Sequence, residues 1–82
     1  MAKTFHLVVA KVGENLFDGE AQSVTLPGED GVLTVMANHE AFVTPLKAGT
    51  IRIEDATGAK QEIEWEGTGL LEVSNNQATV IL

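Results

Sequence analysis

Residues 17–49 read FDGEAQSVTLPGEDGVLTVMANHEAFVTPLKAG, and this stretch decides the fold. Glu20 to Leu26 alternates, with Gln22, Val24 and Leu26 on one face and Ala21, Ser23 and Thr25 on the other. A period of two is the signature of a strand with one dry face. The pentapeptide Pro27-Gly28-Glu29-Asp30-Gly31 interrupts it as a turn, Val32 to Met36 resumes the extended pattern, Ala37-Asn38-His39-Glu40 breaks it, and Ala41 to Leu46 restarts it.

The same grammar extends both ways. Thr4 to Ala10 is rich in strand formers and ends before Gly13-Glu14-Asn15, which marks a first hairpin. Downstream, Ile51 and Ile53 alternate with Arg52 and Glu54, and Ile63 and Trp65 alternate with Glu62, Glu64 and Glu66. Asp55 to Ala59 joins those two runs, Leu70 to Val73 follows Gly69, and Asn75-Asn76 turns into Ala78 to Leu82. No segment holds three turns of helical periodicity. About eight short strands at regular spacing predict one all-β domain over 1–82, a small antiparallel β-sandwich or flattened barrel.

Composition narrows the function. At 82 residues the chain buries only about two-thirds of its surface, which leaves little room for a deep catalytic cleft. It has no cysteine, so neither disulfides nor thiolate-bound metal staple the core. The longest apolar run, Leu7 to Ala10, is far below the ~20 residues of a membrane helix, and the chain reads as soluble and cytoplasmic. Twelve acidic against five basic residues give a net charge of −7, which repels nucleic-acid phosphates and anionic lipid alike. The loose concentration at Glu62, Glu64, Glu66 and Glu72 reads as a solvated sheet face.

Catalytic constellations are missing. His6 and His39 are the two histidines, without the clustered partners that zinc needs, and His6 reads as structural within its strand. Neither Ser23 nor Ser74 sits in a nucleophile elbow. Gly28-x-x-Gly31 precedes no helix and is a turn, not a phosphate loop. A binding or assembly module is therefore expected, with no enzyme activity, cofactor or metal. Met36, Phe42 and Val43 around His39 either anchor a partner or belong to the core.

Phe17-x-Gly19, Leu26-Pro27-Gly28-x-x-Gly31, His39, Thr44, Leu46 and Gly49 occur in an order that resembles the N-terminal domain of the epsilon subunit of rotary F-type ATP synthases. Thr4-Phe5-His6-Leu7, Ile51-Arg52-Ile53 and Leu71-Glu72-Val73 extend the resemblance over essentially the whole chain. It implies a non-catalytic central-stalk subunit at the cytoplasmic face of the cell membrane. Such a subunit binds gamma and the membrane rotor ring, and turns with both as proton or sodium flow drives ATP synthesis. Carried over by position, the gamma-facing residues are Lys11, His39 and Val43, and the ring-facing loop is Glu29, Asp30, Gly31 and Val32.

The sequence also departs from that pattern. Ala37-Asn38-His39-Glu40-Ala41 stands where relatives commonly have Pro-Gly-His-Ala-Pro, and Val32 occupies an acidic position of the ring-facing loop. The paired glycines before the late strand become Thr68-Gly69, with Gly67 one place earlier, which predicts a displaced bulge. Typical bacterial members continue into two C-terminal helices that restrain ATP hydrolysis. This chain reaches Leu82 without them, so no such restraint is expected of it. An alternative is a biotinyl or lipoyl carrier domain modified at Lys47, and a more distant one is a carbohydrate-binding module using Trp65. Lys47 lacks a flanking methionine, and Trp65 alternates with Ile63 as if facing the core.

Overall fold

The computed structural model describes residues 3–82, and among them every regular element is a strand. Eight strands follow in order: β1 (Phe5–Lys11), β2 (Glu14–Gly28), β3 (Gly31–Met36), β4 (Phe42–Leu46), β5 (Gly49–Asp55), β6 (Lys60–Trp65), β7 (Gly69–Ser74) and β8 (Gln77–Ile81). The chain is an all-β sandwich, as its alternation predicts.

β2, at 15 residues, belongs to both layers. Its first half pairs with β1, and β1 continues through β8 and β7 to β4. Its second half lies between β3 and β5, and β5 carries β6. The β4 side is tied back to β2 where Leu46 meets Gly28: Glu29 N–H donates to the Pro45 carbonyl at 3.0 Å and Lys47 N–H to that of Pro27 at 2.9 Å. Hydrogen bonds therefore join the layers at both sides, which makes the sandwich a flattened barrel. The core between them is apolar, with Phe5, Leu7 and Val9 from β1 meeting Val24, Leu26, Ile51, Ile53, Leu71 and Val80.

Four expectations need correction. All pairings are antiparallel except β1 with β8, which runs parallel from His6↔Gln77 to Ala10↔Ile81. The turn shrinks to Glu29-Asp30, because Pro27 and Gly28 remain in β2, buried and opposite Val32 and Gly31. Gln22 does not share the face of Val24 and Leu26. The β2–β5 register slips between Ala21 and Ser23, and this bulge inverts the alternation so that Ala21 is buried instead. Trp65 is only half-buried, since β6 is an edge strand paired with β5 alone.

The Trp65 indole N–H donates to the Thr68 carbonyl at 3.0 Å, and a side chain at Gly67 would come within 3.2 Å of the ring. The displaced glycine thus makes room for tryptophan. Gly69 is needed for a separate reason, because a Cβ there would meet the Ile81 carbonyl at 2.9 Å.

Candidate docking surface

The two outer faces of the sandwich differ in chemistry. On the β3–β2–β5–β6 layer, outward side chains form polar rows across β2, β5 and β6, while the edge strand β3 exposes Val32 and Met36 on either side of Thr34. Thr25 and Thr34 hydroxyls are 3.0 Å apart, Arg52 Nε donates to Glu62 at 2.8 Å, and Thr50 donates to Glu64 at 2.8 Å. These rows are content in water.

The outer face of the other layer is apolar along one row and mixed along the next. Register carries Pro45 to Leu70, Leu70 to Ile81 and Ile81 to Ala10, a single row crossing β4, β7, β8 and β1. The neighbouring row runs Val43, Glu72, Thr79, Val8. Val43 is 59% exposed, Ile81 55% and Leu70 41%. Six apolar side chains so placed form a contiguous patch, the usual mark of a protein-binding surface. Polar groups flank it. His6 stands outward on β1, with Nε2 2.9 Å from Asp18 and Nδ1 3.2 Å from Glu20, and ties β1 to β2 as a structural residue.

The sequence-predicted residues distribute over this surface unequally. Val43 lies within the patch. His39 sits in the β3–β4 connection, exposed, its Nδ1 2.9 Å from the Glu40 carbonyl and its ring centroid 4.9 Å from that of Phe42. Phe42 packs against the core while Met36 is exposed on β3, so the cluster expected around His39 divides between interior and surface. Lys11 ends β1, with Nζ 3.6 Å from Glu14. β8 and β7 separate β1 from β4, so at strand spacing Lys11 stands about 14 Å or more from Val43 and touches neither it nor His39.

Glu29 and Asp30 form the tip of the β2–β3 hairpin. Gly31, at φ 136°, supplies the conformation the tip requires, and Val32 beside it is 74% exposed. Lys47 connects β4 to β5, two strands that do not pair with each other. The hairpin display that a carrier lysine needs is absent there.

Sequence reasoning missed Val8, Ala10, Pro45, Leu70 and Ile81. Their signal was continuity: Leu7-Val8-Val9-Ala10, Leu70-Leu71 and Val80-Ile81-Leu82 are apolar at both parities. A strand with one polar face alternates, whereas an apolar run at both parities places apolar side chains on the outer face as well as in the core.

A family model described as the beta-sandwich domain of the ATP synthase Delta/Epsilon chain matches residues 4–82. The ATP synthase epsilon chain of Delftia acidovorans is 41% identical over 78 residues, covering 95% of this chain and 56% of that protein. That of Herminiimonas arsenicoxydans is 37% identical over 81 residues, covering 99% and 58%. The chain thus spans little more than half the length of these curated relatives. Among solved structures, a chain in the cryo-EM structure of Euglena gracilis mitochondrial ATP synthase (OSCP/F1/c-ring) superposes with a TM-score of 0.87. Its sequence identity is 20%, and the match covers 95% of this chain and 49% of that one. A chain of the Tetrahymena thermophila mitochondrial ATP synthase central stalk and c-ring gives 0.76 at 15% identity, covering 96% and 63%, so these two likenesses speak to fold. With an all-strand sandwich, an apolar outer face and a family match over nearly its whole length, the chain belongs to the ATP synthase delta/epsilon beta-sandwich family.

Proposed function

We propose that the chain is the sandwich part of a non-catalytic central-stalk subunit. It binds gamma through the apolar outer face of the β4–β7–β8–β1 layer, with His39 and Val43 at one margin and Lys11 at another. It rests on the membrane rotor ring through Glu29, Asp30, Gly31 and Val32. Turning with both at the cytoplasmic face of the membrane, it couples ion-driven rotation to ATP synthesis and makes or breaks no covalent bond.

The observation that carries this reading is a contrast between the outer faces: β2, β5 and β6 are laced with hydroxyls and charge pairs, with exposed apolar groups confined to the edge strand β3, whereas β4, β7 and β8 present Val43, Leu70 and Ile81 to solvent around Glu72. Relatives named ATP synthase epsilon chain and neighbours drawn from central-stalk assemblies support it. A sheet suits the task because paired strands hold separate loops at fixed positions against two partners.

The test is gamma binding by calorimetry. Ile81→Asp places a charge in the middle of the patch and is expected to weaken binding at least about thirtyfold, whereas Thr25→Asp on the polar face leaves it unchanged. Undiminished affinity in a folded Ile81→Asp chain would sink the assignment of this face.

A further inference from the structure

Among the described residues two strands, β3 and β6, pair on one side only. β6 carries Lys60, Glu62 and Glu64, the charged dressing that keeps an open edge from pairing. β3 reads GVLTVM and carries no charge. Gly28 lies opposite Gly31 across the two-residue Glu29-Asp30 loop, so these two form the hydrogen-bonded pair that closes the hairpin. Strict alternation follows. Gly31, Leu33 and Val35 bond to β2, and Val32, Thr34 and Met36 direct their N–H and C=O groups to the open side. Pro27, opposite Val32, agrees with this: its carbonyl turns away from β3 and accepts from Lys47.

We propose that this edge pairs with the same edge of a second copy, the two β3 strands running antiparallel about a two-fold axis at Thr34. In that register Thr34 of one copy faces Thr34 of the other and Val32 faces Met36, so the sequence Val-x-Thr-x-Met is its own complement. About six backbone hydrogen bonds form between the copies. Continued past the strand, that register sets Glu29 of one copy across from His39 of the other and Asp30 across from Asn38, with Glu40 one position further on, so the two acidic tips do not meet. This argues for a second copy over an unrelated strand, because each carboxylate tip is offered an imidazole and an amide of the same chain.

The contact is small and each copy carries a charge of −7, so the dimer belongs to the weak, transient class and strengthens with salt. Pairing covers Val32, part of the hairpin proposed to meet the ring. The dimer is therefore a form of the free chain that assembly displaces.

Sedimentation velocity of the 82-residue chain, from micromolar to millimolar concentration at low and high salt, measures the association. Thr34 is exposed and its one side-chain bond is to Thr25, so Thr34→Lys retains the fold while setting like charges face to face. It is expected to weaken dimerisation at least about tenfold, and Met36→Lys repeats the test should Thr34→Lys melt early. A hydrogen-bonded pair has Cα atoms about 5.5 Å apart, within disulfide reach, and the chain has no other thiol. Thr34→Cys should oxidise to a covalent dimer and Lys60→Cys, on the charged edge, should not. A chain that stays monomeric and whose Thr34→Cys variant does not cross-link overturns the proposal. So does a dimer indifferent to Thr34→Lys, or one dissolved only by Ile81→Lys, which would move the contact to the apolar outer face.

Discussion

The side chain of Asn76 joins the β7–β8 turn to the loop that carries His39: its Oδ1 accepts the backbone N–H of Asn38 at 2.8 Å, while its Nδ2 donates to the Thr4 carbonyl at 3.0 Å. Both asparagines hold left-handed backbone, φ 63° at Asn38 and 58° at Asn76, which asparagine tolerates better than most residues. Asn76→Ala removes two hydrogen bonds and adds backbone strain, together about 2–3 kcal/mol by denaturant unfolding. Asn76→Gly should recover the strain alone. Equal losses in the two variants would show that the backbone conformation contributes nothing.

The docking reading makes a sharper demand on the margin of the patch. His39 and Val43 are exposed, so His39→Ala with Val43→Ala should leave the melting temperature nearly unchanged. Gamma binding should weaken by about 2 kcal/mol, roughly thirtyfold. A large loss of melting temperature with normal affinity would return both residues to a structural role.

Lys11 tests the other margin. Its partner Glu14 is 3.6 Å away in an exposed pair, so Lys11→Ala should change stability by less than about 1 kcal/mol. On the proposed contact it should still lower gamma affinity and flatten its salt dependence. Identical salt slopes for the two chains would remove Lys11 from the interface.

Acid should loosen one particular turn. The Thr57 hydroxyl donates to Asp55 Oδ1 at 2.6 Å, and Thr57 N–H and Ala59 N–H donate to the same oxygen at 2.9 and 3.0 Å. These donors, the hydroxyl foremost, lower the Asp55 pKa below its ordinary 3.8. A depressed carboxyl stabilises the fold above its unfolded value, and that contribution disappears as pH falls through the folded one. Stability measured from pH about 5 downward should therefore decline less steeply in Asp55→Asn than in the parent chain. Parallel curves would mean that the turn is pH-indifferent.

Gly49 is required by its neighbour. A Cβ at this position would lie 2.9 Å from the Cβ of Pro27, in the region where Lys47 and Pro27 hydrogen-bond and the layers meet. Gly49→Ala should cost about 1–3 kcal/mol of stability through overpacking, read as an earlier midpoint in urea. An unshifted midpoint would show that Pro27 yields freely.

The strands and the apolar core were legible because burial follows period two: Ile51 and Ile53, or Leu71 and Val73, point inward wherever their polar neighbours point out. What escaped reading depended on long-range pairing. The Gln22 bulge is invisible until β5 supplies its register, and the half-burial of Trp65 until β6 is known to be an edge. The docking patch was half legible. Val43 stood out within the apolar cluster around His39, and resemblance gave it a partner, but Leu70, Ile81 and Pro45 become neighbours only when β4, β7 and β8 lie side by side.

The parallel pairing of β1 with β8 has a mechanical consequence. A force that draws the two chain ends apart pulls β1 toward its beginning and β8 toward its end, sliding one strand along the other. In that geometry the ladder from His6↔Gln77 to Ala10↔Ile81 is loaded all at once, whereas strands peeled from one end give way bond by bond. The first and last strands thus act as a clamp, placed where tension between the two ends enters the domain.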